Sequence, residues 1–354
     1  MHEFSILDTK IGNKYPPYII AELSGNHNGD LNRALKLVEE AHKAGANAIK
    51  LQTYTADTIT INHKSSDFKI SSGLWQGKYL YDLYKEAHTP WEWHEKIFQR
   101  AQELGLDYFS SPFDNTSVDF LEKLNVPAYK VASFELLDLG LVEYIARQNK
   151  PLIISTGMAS KIEIQDALKV CKRVNNYNII LLHCVSGYPT PLEEINLRMI
   201  LELEKEFKLP VGLSDHTIGT SVPITAIGLG ACVIEKHFTL ARKDGGPDSA
   251  FSLEPREFSK LTSDCRNAWQ SLGNGNFERS NSEKDNIKLR RSLYAIKDIS
   301  KGDVFTNENI KSIRPGYGLR PKLYNIIIGK KSLISIKKGT ALKLEHIENF
   351  SNEN

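Results

Sequence analysis

Eight short apolar segments recur along the first 240 residues, and most of them end in a polar side chain. Helical patterns fill nearly all the intervals between them. This alternation predicts an α/β fold in which eight strand–helix units close into a (β/α)8 TIM barrel, whose active site lies at the carboxyl ends of its strands. The polar strand ends are therefore a functional signal. The segments are residues 17–22 (PYIIAE), 48–52 (AIKLQ), 107–111 (DYFSS), 128–133 (AYKVAS), 152–155 (LIIS), 179–183 (IILLH), 211–216 (VGLSDH) and 232–237 (CVIEKH).

Capping signals bound the helices that we predict between these strands. Asp30 is placed to cap a helix that ends before Gly45. Thr89 is placed to cap a helix over residues 89–104, with Glu92 at the capping-box position. The remaining predicted helices cover residues 160–174, 191–207 and 255–272.

Composition changes after the barrel pattern ends. The chain has 354 residues, which is enough for one large barrel and a small second domain. We predict a barrel domain over residues 1–272, a polar linker over 273–288, and a small β-rich domain over 289–352. A domain of that size has a marginal core, so we expect it to dock on another surface. Its predicted β-type runs are residues 290–299, 325–336 and 341–350.

Charge and cysteine content exclude several classes of protein. The 45 basic and 43 acidic residues leave a net charge of +2, which gives no electrostatic footprint for nucleic acid or an acidic membrane surface. No run approaches the about 18 apolar residues of a membrane helix, and the N-terminal residues lack the pattern of a signal peptide. The four cysteines show no CxxC pairing, and three of them lie in apolar or helical contexts that predict reduced core residues of a cytoplasmic protein.

One interval is far longer than the others. There are 37 residues between Gln52 and Pro90, and this insert is rich in aromatic side chains. An ordinary connection between a strand and a helix has a few residues, so the insert needs its own explanation. It leaves the face of the barrel where substrate would bind. Two interpretations remain open: an aromatic helix packed on the barrel rim, and a wall or lid over the substrate.

Two histidines end neighbouring strands. His216 ends strand 7 and His237 ends strand 8, so the two imidazoles can converge on one point. Two neutral imidazoles suit a divalent transition metal, with Asp215 and Asp248 as outer carboxylates. From the residues alone, an ordinary hydrogen-bonding role at the barrel rim is an equal alternative.

Two lysines sit at strand ends beside several hydroxyl groups. Lys50 and Lys130 end strands 2 and 4, where a buried ammonium group needs a partner. One interpretation is a Schiff base with a carbonyl substrate. The other is a clamp on a phosphate or carboxylate, which the neighbouring hydroxyls favour because together they satisfy a small, multiply charged anion. These hydroxyls belong to Ser111, Ser133, Ser155 and Ser214.

Carboxylates and neutral polar groups complete the predicted mouth of the barrel. Glu22 and Glu135 follow strands 1 and 4, where they could bind sugar hydroxyls or transfer protons. Gln52 and Tyr188 add neutral polar contacts. Arg314 lies in a turn of the small domain, and its chemistry alone favours a surface position.

In their order and spacing, the motifs of this chain resemble the sialic-acid synthase family. The segment with IRPGYG resembles the antifreeze-like (SAF) domain of that family, and the resemblance covers nearly the whole chain. Within the family, AELSGNHNG, the aromatic insert and SFELLDL resemble the pseudaminate branch. The motifs are SGNHNGD, IKLQ, SSPFD, AYKVAS, ISTGMAS, LLHCVSGYPTP, GLSDHTIG, EKHFTL and GPDSAFSLEP.

The resemblance implies a condensation of phosphoenolpyruvate with an open-chain sugar. Its C3 would add to the aldehyde of 2,4-diacetamido-2,4,6-trideoxy-L-altrose, and water would attack C2. Phosphate would leave with C–O cleavage, giving pseudaminic acid. A divalent metal, Mn or Mg, would polarise the aldehyde. The alternative within the family is an N-acetylneuraminate or legionaminate synthase with the same chemistry.

The resemblance also carries roles onto individual residues. Glu22, Glu135, His216 and His237 are implied to be catalytic, and the two histidines to be the metal ligands. Arg314 matches a residue that the family inserts into the partner subunit's active site, which implies a domain-swapped homodimer. The implied phosphoenolpyruvate-binding residues are Lys50, Ser111, Lys130, Ser133, Ser155, Ser186 and Ser214. The implied sugar-binding residues are Glu22, Gln52, Glu135, Tyr188, Asp248 and Arg314.

Three positions depart from the sialic-acid branch. Ser186 stands where that branch has an Asn near the phosphate, and Ser24 and Gly25 differ on the sugar side. These departures favour a different sugar without identifying it. Two other functions compete with the synthase: a Schiff-base aldolase on Lys130 or Lys50, and a carbohydrate- or ice-binding protein built on the small domain.

Overall fold

The computed structural model describes residues 4–349 of the chain. The chain divides into two compact units, Met1–Gly273 and Asn274–Asn354. Residues 1–3 of the predicted barrel domain and 350–352 of the predicted small domain lie outside the described residues. No helix within residues 4–349 is both long enough and apolar enough to cross a membrane.

Eight parallel strands close into a barrel, which confirms the predicted fold class. Each predicted strand overlaps one of them, because the buried, β-branched runs of the sequence are the strand cores. A short antiparallel hairpin, β1 (Phe4–Ile6) and β2 (Thr9–Ile11), precedes the barrel and was not predicted. The barrel strands are β3 (Tyr18–Glu22), β4 (Ala48–Thr53), β5 (Asp107–Pro112), β6 (Tyr129–Val131), β7 (Leu152–Ser155), β8 (Ile179–Cys184), β9 (Val211–Asp215) and β10 (Val233–His237).

The hairpin closes one end of the barrel interior. Phe4, Ile6 and Ile11 are at most 2% exposed, and they form one apolar cluster with side chains from the first halves of the barrel strands, such as Phe109 and Ile153. Side chains alternate along a strand, so the same inward face becomes polar two residues further on. The interior is therefore apolar at the amino-terminal end and polar at the carboxyl-terminal end.

Helices surround the barrel and bury the outward face of each strand. Asp30 caps the first long helix, accepting a hydrogen bond of 2.8 Å from Asn32 N, and Ser160 caps a later one, as predicted. The helices of this unit are α1 (Leu31–Lys43), α2 (Ala56–Ile59), α3 (Leu80–Ala87), α4 (His94–Glu103), α5 (Asn115–Lys123), α6 (Leu139–Ala146), α7 (Lys161–Arg173), α8 (Met199–Phe207), α9 (Ser221–Gly228) and α10 (Pro255–Ser271).

Two predicted helices differ in the structure. Thr89 does not cap a helix, because its hydroxyl lies 3.2 Å from His27 Nε2, and a short 3-10 turn at Trp91–Trp93 precedes α4. The helix predicted over 191–207 divides into a 3-10 turn at Leu192–Glu194 and α8. All four cysteines are buried and free, whereas the sequence predicted core positions for three of them.

The second unit is small and β-rich, as predicted, but its elements differ in detail. It contains α11 (Asn281–Lys284), β11 (Ser292–Ala295), β12 (Ile310–Ile313) and α12 (Tyr324–Ile327). Strand β12 pairs antiparallel with β11 and was not predicted, whereas the run predicted over 325–336 begins as helix α12. Its core is apolar, and it includes Leu293, Phe305, Ile310, Ile327 and Leu342.

Candidate active site

A buried ionic network lies inside the carboxyl-terminal end of the barrel; we call its five residues the charged floor. Lys50 Nζ lies 2.5 Å from Glu22 Oε2 and 3.6 Å from Glu235 Oε1. Lys130 Nζ lies 3.2 Å from the same Glu235 oxygen, which also accepts a 3.1 Å hydrogen bond from Ser214 Oγ. All five side chains are buried. The floor thus pairs two ammonium groups with two carboxylates.

Pairing within the floor outweighs the effect of burial on the pKa of Glu235 and Lys50, but not on that of Lys130 and Glu22. Burial alone would raise the pKa of Glu235, but Lys130 and Lys50 hold it below its usual value. Burial alone would lower the pKa of Lys50, but Glu22 and Glu235 raise it. The pKa of Lys130 is lowered by burial, and that of Glu22 is raised by burial against the attraction of Lys50. Buried charges persist only with such partners, so each ammonium group of the floor lies against a carboxylate.

Glu235 is the principal site residue that sequence reasoning missed. It lies on β10 two residues before His237, and strand alternation places both on the inward face. That spacing was the available signal. The same alternation turns Asp215 away from the interior. On the outward face it pairs with Lys236 and does not lie beside the histidines.

The predicted serines lie around the floor at successive strand ends. Ser111 Oγ accepts a 3.3 Å hydrogen bond from Lys50 Nζ, and Ser155 Oγ is buried with no hydrogen-bond partner within the described chain. Ser133 Oγ accepts a 3.1 Å hydrogen bond from Gly157 N. A Cβ on Gly157 would lie 2.5 Å from Ser186 Oγ and 2.7 Å from Ser133 Oγ, so glycine at this position leaves room for both hydroxyls. The structure therefore gathers hydroxyl donors beside two ammonium groups.

The two histidines face each other beside the floor. Their ring centroids are 5.4 Å apart. His216 Nδ1 lies 3.0 Å from the Val185 carbonyl oxygen, and His237 Nδ1 lies 3.2 Å from Ser24 Oγ. The Nε2 atom of each ring has no hydrogen-bond partner among residues 4–349. Burial holds the pKa of His237 well below its usual value, so that ring is neutral.

These rings fit a divalent metal as two ligands of an incomplete set. Metal-binding histidines commonly fix one ring nitrogen on a carbonyl or hydroxyl and present the other, as both rings do here. Within residues 4–349, no group of three or more His, Cys, Asp and Glu side chains is arranged to hold a metal. The remaining ligands would therefore come from substrate or water.

The other predicted polar residues lie around the same mouth. Gln52 Nε2 donates a 3.0 Å hydrogen bond to Glu22 Oε1. Burial raises the pKa of Glu135 to about 7, and its Oε2 is buried with no partner within the described residues. Burial also raises the pKa of Asp248, which hydrogen bonding from the Ser24 hydroxyl opposes.

Three aromatic rings, which we call the aromatic wall, cover the histidine side of the site. The wall consists of Trp75 from the insert, Tyr188 from the loop after β8, and Phe251 from the loop after β10. The Tyr188 centroid lies 4.4 Å from that of His216, and the Phe251 centroid lies 4.9 Å from that of His237. The insert therefore contains a short helix on the rim, α3, and also contributes a ring to the wall, so it combines features of both interpretations.

Arg314 belongs to the second unit, where it follows β12. Its side chain is exposed, and it has no hydrogen bond or ion pair among the described residues. Taken within its own unit, the structure agrees with the surface position that the residue chemistry favoured.

Comparison with known protein families agrees with a closed (β/α)8 barrel that is followed by a small β-rich unit. The chain matches the NeuB family over residues 37–277 and the SAF domain over residues 290–348. The chain belongs to the NeuB family.

Individual relatives agree with this assignment. The chain is 47% identical to a pseudaminic acid synthase from Campylobacter jejuni, over 92% of this chain and 95% of that protein. It is 39% identical to an N,N'-diacetyllegionaminic acid synthase from the same species, over 92% and 98% respectively. The crystal structure of N-acetylneuraminic acid synthetase from Leptospira borgpetersenii superposes with a TM-score of 0.73 at 34% identity, covering 81% of this chain and 95% of that one.

Proposed function

We propose that this chain is a pseudaminic acid synthase. It would condense phosphoenolpyruvate with 2,4-diacetamido-2,4,6-trideoxy-L-altrose and water to give pseudaminic acid and phosphate. The carrying observation is the juxtaposition of two buried lysines and several serines with a histidine pair at the end of the barrel. The choice of sugar is supported by 47% identity to a pseudaminic acid synthase, against 39% to a legionaminic acid synthase. Because phosphoenolpyruvate is a cytoplasmic metabolite, we propose the same location for the enzyme.

The reaction forms one bond between the substrates and breaks one bond to phosphate. C3 of phosphoenolpyruvate attacks the aldehyde carbon, and the aldehyde oxygen takes up a proton. Water adds to the resulting cationic C2 and loses its proton. The tetrahedral intermediate then collapses to the 2-keto acid, with cleavage of the bond between C2 and the phosphate oxygen.

The charged floor binds and orients phosphoenolpyruvate. Lys50 and Lys130 donate to its phosphate and carboxylate, and Ser111, Ser155 and Ser214 add neutral donors. Phosphoenolpyruvate takes over contacts that Glu22 and Glu235 make with the ammonium groups in its absence. Ser133 and Ser186, which meet at Gly157, provide the remaining hydroxyls of this pocket.

Glu135 is the proposed proton-transfer group for the attacking water. One of its oxygens is buried without a hydrogen-bond partner within the described chain, and its pKa near 7 suits reversible proton transfer at neutral pH. Glu22, Gln52, Tyr188 and Asp248 lie around the mouth, where they would hold the polar groups of the sugar.

His216 and His237 would hold the divalent metal, Mn or Mg. The chemistry that such a cation supplies is polarisation of a carbonyl oxygen. Ser24 and the Val185 carbonyl fix the two rings through Nδ1, which leaves Nε2 of each for the metal.

A domain-swapped homodimer would complete the sugar side with Arg314 of the partner subunit. Arg314 is exposed and unpaired among the described residues of its own chain. Exposed apolar side chains on the loops after β6, β7 and β9 support a contact at this end of the barrel: Phe134, Met158 and Ile218 are 60%, 64% and 60% exposed. Large apolar groups at a barrel rim are typical of an interaction surface.

Phosphate release from a panel of sugars tests the proposed function. The purified full chain would be incubated with phosphoenolpyruvate, Mn and one of three sugars: the diacetamido-trideoxy altrose, its legionaminate-type counterpart, or N-acetylmannosamine. We expect turnover with the altrose and a product mass equal to pseudaminic acid. Turnover only with another sugar would keep the synthase chemistry and assign a different sugar substrate. Turnover with none of the sugars would contradict the synthase assignment. Borohydride should not trap a Schiff base on Lys50 or Lys130, since both are ion-paired.

A further inference from the structure

Trp75 is the only ring of the aromatic wall that comes from the insert. Its centroid lies 5.5 Å from that of Tyr188 and 6.4 Å from that of Phe251. Its indole N–H donates a 2.8 Å hydrogen bond to the Pro247 carbonyl oxygen, one residue before Asp248. The indole is half-buried, while its neighbours in the chain are exposed. Trp75 is therefore the anchored side chain of an otherwise exposed segment.

The insert and the first loop of the barrel are packed as one piece. A Cβ on Gly25 would lie 3.1 Å from the Ala87 carbonyl oxygen and 3.3 Å from Ala87 Cβ, so any larger residue would require the end of α3 to shift by a few tenths of an ångström. The preceding residue, Ser24, contacts His237. The sequence features that differ from the sialic-acid branch are thus physically coupled, since Gly25 makes room for the insert that carries Trp75.

The wall contrasts with the floor in what it can bind. Trp75, Tyr188 and Phe251 carry no formal charge, whereas the floor binds anions. Tyr188 and Phe251 contact the histidine rings, beside which the reacting aldehyde must lie, and Trp75 lies one ring further out. Groups of the sugar that reach Trp75 therefore belong to the half of the hexose remote from the aldehyde. In the proposed substrate, that half carries two methyl groups, one on the C4 acetamido group and one at C6.

We infer that Trp75 is a specificity-determining residue that accepts a methyl group from the remote half of the hexose. This inference rests on the proposed function and specifies which substrate feature the insert recognises. An apolar face of an indole excludes water from a methyl group and gives no partner to a hydroxyl in its place. A pocket of this kind discriminates between sugars that differ by one apolar or hydroxyl group by about 10–200-fold.

Two analogues of the altrose isolate the two methyl groups. One has a C4 formamido group in place of acetamido, and the other has a hydroxyl at C6. We expect Trp75→Ala to bring kcat/KM for at least one analogue to within about twofold of the parent sugar, where the wild type discriminates by tenfold or more. The loss should appear mainly in KM for the sugar, with KM for phosphoenolpyruvate unchanged. Trp75→Phe should retain part of the discrimination.

A binding measurement keeps the inference testable apart from turnover. Trp75 is one of four tryptophans, and Trp269 on α10 is a matched control on the outside of the barrel. The parent sugar should quench tryptophan fluorescence in the wild type and in Trp269→Phe but not in Trp75→Phe. The inference is overturned if Trp75→Ala lowers kcat/KM equally for the altrose and its two analogues. It is also overturned if the fluorescence of Trp75→Phe is quenched by the altrose as strongly as that of the wild type. If no sugar supports turnover in the wild type, the proposed function fails and the fluorescence alone decides this inference.

Discussion

The charged floor and the aromatic wall are built in opposite ways. The floor comes from inward-facing residues of the barrel strands. The register places Lys50 beside Glu22 on neighbouring strands, whereas Lys130 pairs with Glu235 between strands that are not hydrogen-bonded to each other. The wall comes from three loops that are distant in sequence and meet through ring contacts and the hydrogen bond from Trp75 to the Pro247 carbonyl. Under the proposed function, this comparison predicts a division of labour: a charged surface for phosphoenolpyruvate and an apolar surface for the sugar. Changes to the floor should impair every sugar equally, while changes to the wall should alter the preference between sugars.

The largest effect should follow from removing a charge of the floor. Lys130→Met takes the closest ammonium partner from Glu235 and removes a donor to phosphoenolpyruvate. We expect kcat/KM to fall by about a thousandfold for every sugar that is turned over. Lys150→Met, at a partly exposed ion pair with Glu122, is the matched control and should be near wild type. A change in sugar preference in Lys130→Met would break the proposed division.

Glu135 should link turnover to pH. Burial raises its pKa to about 7, so the carboxyl is protonated below that pH and becomes a base only above it. We expect kcat/KM to rise as the pH passes upward through about 7. Glu135→Gln should remove this limb and lower kcat by about a hundredfold. A limb that falls with rising pH would instead assign Glu135 as an acid.

A buried ion pair behind the histidines should influence them without contacting substrate. Lys236 Nζ lies 2.5 Å from Asp215 Oδ2, and each residue directly precedes one of the two histidines. Breaking the pair with Asp215→Asn should destabilise the fold by about 3–5 kcal/mol and weaken Mn binding by about 10–100-fold. Chemical denaturation and Mn titration measure the two effects.

A double variant separates stability from positioning at this pair. Asp215→Leu combined with Lys236→Met replaces both charges with apolar groups and should recover much of the stability. If the pair orients the histidines, Mn affinity should stay low in this variant. Recovery of both properties would mean that the pair contributes only to folding.

The smallest effect should come from the partner's side of the sugar site. Arg314→Ala removes a guanidinium that is exposed in its own unit and should raise KM for the sugar about tenfold, with KM for phosphoenolpyruvate unchanged. Arg291, an exposed arginine of the same unit, is a control. Mixing Arg314→Ala with Lys130→Met should restore activity to a fraction of mixed dimers, because one site would then contain both wild-type residues. An absence of complementation would contradict the swapped dimer.

The sequence predicted more residues of the charged floor than of the aromatic wall. Strand periodicity placed Lys50, Lys130 and the histidines at strand ends, since a barrel strand has one inward face and a fixed period. Glu235 was missed because only the last residue of its strand, His237, was considered as a site residue. The two-residue period of a strand already places Glu235 on the same inward face as His237. Trp75 was noted only as part of an aromatic segment, because the ring contacts of a long loop have no sequence period.

Local signals also failed where tertiary contacts competed with them. The N-terminal hairpin was missed because its strands have three residues each and its role is set by the barrel end that it fills. Thr89 has the sequence of a cap, yet its hydroxyl is engaged by His27. In both cases a partner distant in sequence determined the local structure.

The hairpin at the amino-terminal end of the barrel closes the barrel interior on that side of the candidate active site. Phe4, Ile6 and Ile11 fill that end with buried apolar side chains, so the floor faces the carboxyl-terminal end of the barrel. Under the proposed function, both substrates approach from that end, and we expect phosphoenolpyruvate to bind before the sugar and phosphate to leave after the sugar product. We therefore expect an ordered kinetic mechanism, because one binding surface lies behind the other in a barrel that is closed at one end.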